Sequence, residues 1–213
     1  MMHSPNWIGV TLYATVMVAG CSKTAAKKKK PPATKSTVES GADGYENPPS
    51  EPTLSQKLGS AGTMTQVVSI LKPHMENTFN DFSKASGLLA LWWMSHTPHL
   101  EDLDSLEKTS YKRVMKDPQA ERGKRLCART RVIEIHAMHG GKHTYFKGGL
   151  IRGYSQIYRF IAVGSTGDLV QRSHAKFCGV VMGTQSYSNS GGGTAHGIEM
   201  VGMFDLKENH VKN

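Results

Sequence analysis

Three histidines near the middle of the chain have the side chains and spacing best suited to chemistry. His136, His139 and His143 lie within eight residues. Neutral imidazole is a common ligand of Zn²⁺, Cu²⁺ and Ni²⁺. Gly140-Gly141 separates the second from the third histidine and favours a mobile hairpin loop over a preorganised site. The cluster is therefore a candidate metal site, for metal binding or metal-dependent hydrolysis, and an exposed loop with incidental histidines is the alternative.

Two other patterns fall short of a catalytic motif. The glycine-rich stretch Gly191–His196 lacks the Lys-Ser/Thr pair of a phosphate-binding loop and has no helical pattern after it. Asp168, His174 and His196 with the many serines do not have the nucleophile elbow or spacing of a Ser-His-Asp enzyme. The sequence thus assigns no catalytic residue and no cofactor.

A basic surface is the next feature that bears on binding. The chain of 213 residues has a formal net charge of +9, and residues 119–213 hold thirteen basic against six acidic residues. Such an excess favours anionic partners, and aromatic residues beside arginines would also suit single-stranded nucleic acid. The candidate ligand-facing residues are Arg129, Arg131, Lys147, Arg152, Tyr154 and Tyr158, on or beside the loops 136–143, 152–158 and 186–194.

Five β-strands separated by turn signals must position these residues. Alternating and β-branched patterns predict strands over 124–137, 142–150, 156–163, 175–187 and 194–204. In the first strand the apolar alternation changes phase between Ala128 and Ile133, which predicts a bulge. Gly179 and Gly183 are positions where the fourth strand can bend. Residues 168–173 are expected to form one short helical turn.

A helical pattern precedes the strands. Apolar residues recur at steps of three, four and seven, as one buried helical stripe requires, at Val67, Leu71, Met75, Phe79, Phe82, Leu89 and Trp93. Pro73 is expected to start or kink a helix, Thr97-Pro98 to open a second one through Leu106, and Thr109 to cap a third. Upstream, residues 22–62 are rich in Lys, Pro, Ser and Gly and predict a disordered tether.

The N-terminus resembles that of bacterial lipoproteins. An apolar run over residues 7–19 is too short to span a bilayer comfortably and ends in Val18-Ala19-Gly20-Cys21, which resembles a lipobox. The resemblance implies cleavage before Cys21, lipidation of its thiol, and export to the cell envelope, with the outer membrane facing the periplasm favoured by Ser22. The alternative is a plain cleaved signal or a lone anchor helix. In an exported protein the remaining cysteines, Cys127 and Cys178, are expected to form a disulfide.

The strand region resembles the OB-fold. A long bulged first strand, two meander strands, a short link and a final hairpin make up this resemblance, and the segment Asp117–Leu126 looks like the start of OB-like domains in bacterial lipoproteins. A small sandwich or another barrel is the alternative. The expected fold is α+β, with a helical segment followed by a five-stranded, OB-like antiparallel β-barrel.

The whole chain is then expected to have five parts. These are a signal peptide over 1–20, a tether over 21–62, a helical segment over 63–118, a barrel over 119–206 and a tail over 207–213. The expected function is a non-enzymatic binding or assembly module, anchored to the membrane by its N-terminal lipid. Its expected partner is an envelope protein or an anionic ligand, and nucleic acid is the alternative.

Overall fold

The computed structural model of the chain describes residues 51–188 and 191–211. The expected signal peptide, the lipidation site Cys21 and the tether up to residue 50 lie outside these residues. The tether was expected to run to residue 62, but Leu54–Gly59, within that range, forms a helix. Thr53 caps that helix in a reciprocal capping box with Gln56, and Leu58 is buried.

Within the described residues, five short α-helices precede the longer strands in sequence. Serine or threonine hydroxyls accept backbone hydrogen bonds at the start of the first three helices, which satisfies otherwise unpaired N–H groups. Two 3₁₀ turns, Lys72–His74 and Leu100–Ser105, lie between them. The helices are α1 (Leu54–Gly59), α2 (Met64–Leu71), α3 (Lys84–Ser95), α4 (Tyr111–Lys116) and α5 (Pro118–Glu121).

The helical segment differs from its sequence prediction in three places. Helix α2 ends at Leu71, and Pro73 lies in the 3₁₀ turn that follows it. A two-residue strand, β1 (Thr78–Phe79), then interrupts the expected stripe, so that Phe79 is 59% exposed. The helix expected after Thr97-Pro98 is the 3₁₀ turn that begins at Leu100. Pro98, expected in the first turn, lies before the N-cap residue His99. The third helix is capped at Ser110 instead of Thr109.

Five longer strands form a closed ring. They are β2 (Arg125–Gly140), β3 (His143–Arg152), β4 (Gln156–Ala162), β5 (His174–Ser188) and β6 (Thr194–Phe204). The pairing order is β2-β3-β4-β6-β5, and β5 pairs back to β2. Each strand lies within a few residues of its predicted bounds, because alternating apolar residues mark strands that have one buried face. The helical turn expected over 168–173 is instead a pair of non-helical turns.

The sheet is mixed, and the expectation of a purely antiparallel five-stranded barrel was wrong in this respect. Strand β4 runs parallel to β6, with Phe160 opposite Met200, and β1 adds a sixth strand parallel to β5. The parallel pair arises because β5 follows β4 in sequence but pairs with β2 and β6, which leaves β6 to close the ring against β4. The coarser α+β prediction holds.

Two bulges bend the long strands where the sequence indicated that they would. In β2 the register shifts between Val132 and Glu134, at the predicted change of phase. In β5 it shifts between Val181 and Gly183. Gly183 has a φ of 157°, and a Cβ there would lie 2.6 Å from the carbonyl oxygen of Glu76. Only glycine permits this close approach.

The barrel has two hydrophobic cores, one inside the ring and one outside it. The inner core contains Phe160, Phe177 and Phe204, whose ring centroids lie 5.1–5.4 Å apart. In the outer core, α2, α3 and the 3₁₀ turn Leu100–Ser105 pack against the outward-facing residues of β4, β5 and β6. Cys127 and Cys178 are directly opposite on β2 and β5 and form the expected disulfide.

The segment after the last strand is packed in place. A 3₁₀ turn, Lys207–Asn209, follows β6, and Asn209 is buried and donates to the carbonyls of Ser165 and Phe204. The imidazole of His210 lies 2.6 Å from the carboxylate of Glu101 and 2.9 Å from that of Asp205. These contacts join the end of the described chain to the 3₁₀ turn of the helical layer.

We expect the contribution of His210 to stability to depend on pH. Its hydrogen bonds to Asp205 and Glu101 raise the pKa of His210 above the ordinary value of 6.5. The pKa of Asp205 is lowered by hydrogen bonds from Lys176 and His210, and that of Glu101 by the bond to His210. The stabilisation that comes from protonated His210 is complete below pH 6.5 and is lost as the pH rises through the raised pKa. The stabilisation that comes from ionised Asp205 and Glu101 is lost as the pH falls below about 4.5.

The measurement is the difference in free energy of unfolding between the wild type and His210→Ala. It should be largest between about pH 4.5 and 6.5 and should decline on both sides, and its size should be modest because the pair is well exposed. Denaturant unfolding at several pH values gives this curve. A difference that stays constant from pH 4 to pH 9 would contradict the ion-pair account.

Candidate functional site

A basic groove lies on the outer surface of the barrel. It has a volume of about 790 Å³ and is bounded by β2, the start of β5 and the turn between β3 and β4. No acidic residue is among the described residues that line it. The residues that line the groove are Arg129, Thr130, Arg131, Ile151, Arg152, Gly153, Tyr154, His174, Ala175 and Lys176. A smaller pocket that contains Cys127 and Ala128 continues from the same arginines.

The register of β2 and β5 positions four of the basic side chains. Arg129 is directly opposite Lys176, and Arg131 is directly opposite His174. Thr130, between the two arginines, faces the interior, so both arginines point outward. The four side chains form a two-by-two array, about 7 Å apart along each strand and about 5 Å apart across the pair.

Little in the protein itself neutralises this array. Lys176 forms an ion pair with Asp205 at 2.7 Å. Within the part of the chain that the structure describes, no carboxylate lies within 4.0 Å of the guanidinium groups of Arg129, Arg131 or Arg152. Like charges directly opposite each other on neighbouring strands are destabilising. A bound anion would relieve this repulsion, so the groove is chemically suited to a ligand with more than one negative charge.

The turn between β3 and β4 supplies the remaining side of the groove. Gly153 adopts a φ of 62°, which allows the chain to reverse within the segment 153–155. Tyr154 follows it and is fully exposed. An exposed aromatic ring beside Arg152 provides a flat apolar surface next to a cation.

The structure brings together four of the six predicted ligand-facing residues and separates the other two. Arg129, Arg131, Arg152 and Tyr154 line the groove. Lys147 lines a different cavity, under α3. Tyr158 is 1% exposed and lies in the inner core against Tyr111, and its burial raises the pKa of its phenol to about 12. Its predicted place on the ligand-facing surface is therefore corrected, because its ring belongs to the inner core.

Sequence reasoning missed His174 and Lys176. Both lie at the start of β5, about 45 residues after the arginines they face. A usable signal was the alternation of polar and apolar residues in His174-Ala175-Lys176-Phe177, which places residues 174 and 176 on the outer face. Their convergence with Arg129 and Arg131 follows from the β2–β5 register, which no local pattern shows.

The three candidate metal ligands are spread along a hairpin. Residues 136–140, expected in a loop, belong to β2, and a two-residue turn connects them to β3. His139 and His136 are an odd number of residues apart on one strand and face opposite sides. His143 pairs with Gly140 at the hairpin end of the ladder, whereas His136 pairs with Lys147, four residue pairs further along. Among the described residues no three His, Cys, Asp or Glu side chains are grouped to hold a metal ion.

The residues considered for a catalytic triad also lie in different places. His174 is in the basic groove, and Asp168 follows β4 in the connection to β5. His196 accepts or donates a hydrogen bond of 2.8 Å with Ser186 across the β5–β6 hairpin, and its side chain is exposed. The tip of that hairpin, part of the predicted 186–194 loop, includes residues outside the described ones.

The fold and groove define this protein as a mixed α+β chain with a closed sheet and a basic external surface. No model of a known protein family matches the chain, and no similar sequence is found among curated proteins. Over residues 51–188 and 191–211, no helix has the length and apolar character needed to cross a membrane.

Proposed function

We propose that this chain is a non-enzymatic binding module of the cell envelope, anchored by a lipid on Cys21, in which an OB-like barrel presents the basic groove to an anionic ligand. One observation supports the choice of ligand: Arg129, Arg131 and Arg152 line the groove, and among the described residues none of their guanidinium groups has a carboxylate partner. The site contains no arrangement of nucleophile and base, so binding is the activity that its geometry favours.

The strand order supports the OB-like part of the proposal. In an OB-fold three consecutive strands form a meander, the fifth strand runs parallel to the third, and the fourth closes the ring against the first. Strands β2, β3 and β4 form the meander here, β6 is parallel to β4, and β5 pairs with both β6 and β2. The helical segment is then an addition packed on the outside of the barrel.

Two features support the envelope location. The lipobox-like Val18-Ala19-Gly20-Cys21 follows an apolar run of the length of a signal-peptide core. The disulfide between Cys127 and Cys178 is typical of proteins that fold in oxidising compartments. Labelling with radioactive palmitate tests the anchor: incorporation is expected in the wild type and should disappear in Cys21→Ala. Equal labelling of both proteins would refute it.

Replacing two groove arginines should weaken the binding of a polyanion. We expect Arg129→Ser/Arg131→Ser to lower the affinity of the purified full chain for inorganic polyphosphate by about 30-fold, if each guanidinium contributes about 1 kcal/mol. Isothermal titration measures the dissociation constant. The salt dependence should also become shallower, because fewer counterions are exchanged on binding.

A matched control separates the groove from net charge. Lys112→Ser/Lys116→Ser removes the same two charges from the exposed surface of α4 and should change the affinity by less than about threefold. If both double variants lose affinity equally, the interaction depends on overall charge and the groove is not the site. If the wild type does not bind polyphosphate, the proposed ligand class is wrong.

Single-stranded nucleic acid is a second candidate ligand, and one observation favours it. Tyr154 is fully exposed beside Arg152, as a base-stacking platform requires. Against it, Tyr158, Phe160 and Phe177 are buried in the inner core and are not available for stacking. With an oligothymidylate probe, Tyr154→Ala should then cost about tenfold in affinity while Tyr154→Phe binds as the wild type does. Equal binding by all three proteins would reject this candidate.

A further inference from the structure

A second cavity lies on another part of the surface and is separate from the basic groove. It has a volume of about 350 Å³, is partly open to solvent, and lies between α3 and the outer face of β3 and β4. This volume is within the range of small-molecule sites in proteins. Its walls are largely apolar and include Phe82, Ala90, Leu91, Met94 and Ile161.

One cation faces this apolar space. Lys147 is the only basic residue among the described residues that line the cavity. Its ammonium nitrogen lies 5.3 Å from the ring centre of Phe82 and 5.9 Å from that of Tyr145, which restrains its position by cation–π attraction. Within the described part of the chain, no carboxylate lies within 4.0 Å of it. Lys147 is thus restrained at the wall, and no described residue serves as its counter-ion.

Two other polar groups at the cavity already form hydrogen bonds. The hydroxyl of Ser83 donates a 2.8 Å hydrogen bond to Glu199, behind the wall. Asp81 accepts a 2.7 Å hydrogen bond from the backbone N–H of Phe82, and its negative charge disfavours a ligand with several negative charges. The cavity therefore offers an apolar volume, one free cation among its described lining residues, and one repulsive carboxylate.

We propose that this cavity binds an aliphatic monocarboxylate, with its carboxylate on Lys147 and its alkyl chain against Phe82, Leu91 and Met94. The single positive charge matches a single negative head group. The flexible methionine and leucine side chains adapt to an alkyl chain. This inference is independent of the proposed function, because it uses neither the basic groove nor the lipid anchor.

Gly87 provides a variant that closes the cavity with little risk to the fold. It lies on α3 and lines the cavity, and a Cβ added to it would meet nothing within 4 Å. Gly87→Leu should therefore fill the space with its side chain and also improve the helix, since glycine is unfavourable in a helix interior. Lys147→Met keeps the length of the side chain and removes its charge.

The experiment is isothermal titration of the purified full chain with decanoate and with neutral decan-1-ol. We expect saturable binding of one decanoate, a loss of at least tenfold in decanoate affinity for Lys147→Met, and no change in the affinity for decan-1-ol. Gly87→Leu should abolish the binding of both. Lys112→Ser, on the exposed surface of α4, is the charge-matched control and should bind decanoate as the wild type does.

Each alternative result overturns the proposal. No saturable binding by the wild type would show that the cavity is not a site for such ligands. Wild-type affinity in both Lys147→Met and Gly87→Leu would place any bound decanoate elsewhere. Competition with 1-naphthoate, an aromatic monocarboxylate, tests whether the cavity prefers an aliphatic ligand. If 1-naphthoate displaces decanoate and binds more tightly than decanoate does, the preferred ligand class is aromatic and the proposal of an aliphatic ligand is wrong.

Discussion

Replacing Glu199 by alanine is expected to destabilise the protein by about 3–5 kcal/mol, because buried hydrogen-bond donors would lose a charged acceptor. Glu199 lies on β6 and is completely buried. One carboxylate oxygen accepts hydrogen bonds from the backbone N–H of Ser83 at 2.9 Å and from its hydroxyl at 2.8 Å, and also from the hydroxyl of Ser86. The other oxygen accepts from the hydroxyl of Thr78 at 2.9 Å.

These donors all belong to the chain segment that covers the barrel. Thr78 is in β1, Ser83 is the N-cap of α3, and Ser86 lies in its first turn. The negative charge at the start of α3 also interacts favourably with the helix dipole. Glu199 therefore connects the helical layer to the barrel, and its loss should affect α3 more than the inner core.

Denaturant unfolding and hydrogen exchange test this role together. Glu199→Gln keeps the shape but replaces one acceptor oxygen by an amide donor, so we expect an intermediate loss of about 1–3 kcal/mol. Glu208→Ala removes an exposed carboxylate and should change stability by less than about 0.5 kcal/mol. Exchange in Glu199→Ala should accelerate first in α3. A loss below 1 kcal/mol would mean that the donors find other partners and that the carboxylate is not the connection.

Loss of the disulfide is expected to cost about 4 kcal/mol. Cys127 and Cys178 are separated by 51 residues, and in the chain-entropy model a loop of this length restricts the unfolded chain by that amount. The two half-cystines connect β2 to β5, the pair that closes the ring and forms the floor of the basic groove. The effect should therefore appear both in stability and in the binding of polyphosphate at low denaturant concentrations.

Cys127→Ala/Cys178→Ala and chemical reduction of the wild type should give the same loss in the free energy of unfolding. The double variant should be insensitive to reductant, which provides the internal control. Counting of free thiols in the unfolded, unreduced wild type should find neither Cys127 nor Cys178 reactive. Two reactive thiols from these positions, or a double variant as stable as the wild type, would contradict the cross-link as a source of stability.

The local features of the barrel could be predicted because they depend on neighbouring residues. A period of two in apolar residues marks a strand with one buried face, and this gave all five ring strands close to their observed bounds. The phase change in β2 between Ala128 and Ile133 indicated the bulge between Val132 and Glu134. Proline and capping residues likewise limited the helices, although the short strand β1 was hidden in a helical pattern.

The sequence by itself thus determined the order of helices and strands, the bulges, the basic character of the C-terminal part and four residues of the groove. The tertiary structure alone decided the parallel pairing of β4 with β6, the convergence of His174 and Lys176 with the arginines, and the burial of Tyr158 and Glu199. The reason is physical: which side chains meet across a ring depends on pairing between strands far apart in sequence. That pairing reflects the packing of the whole chain, whereas strand and bulge patterns are set by adjacent residues.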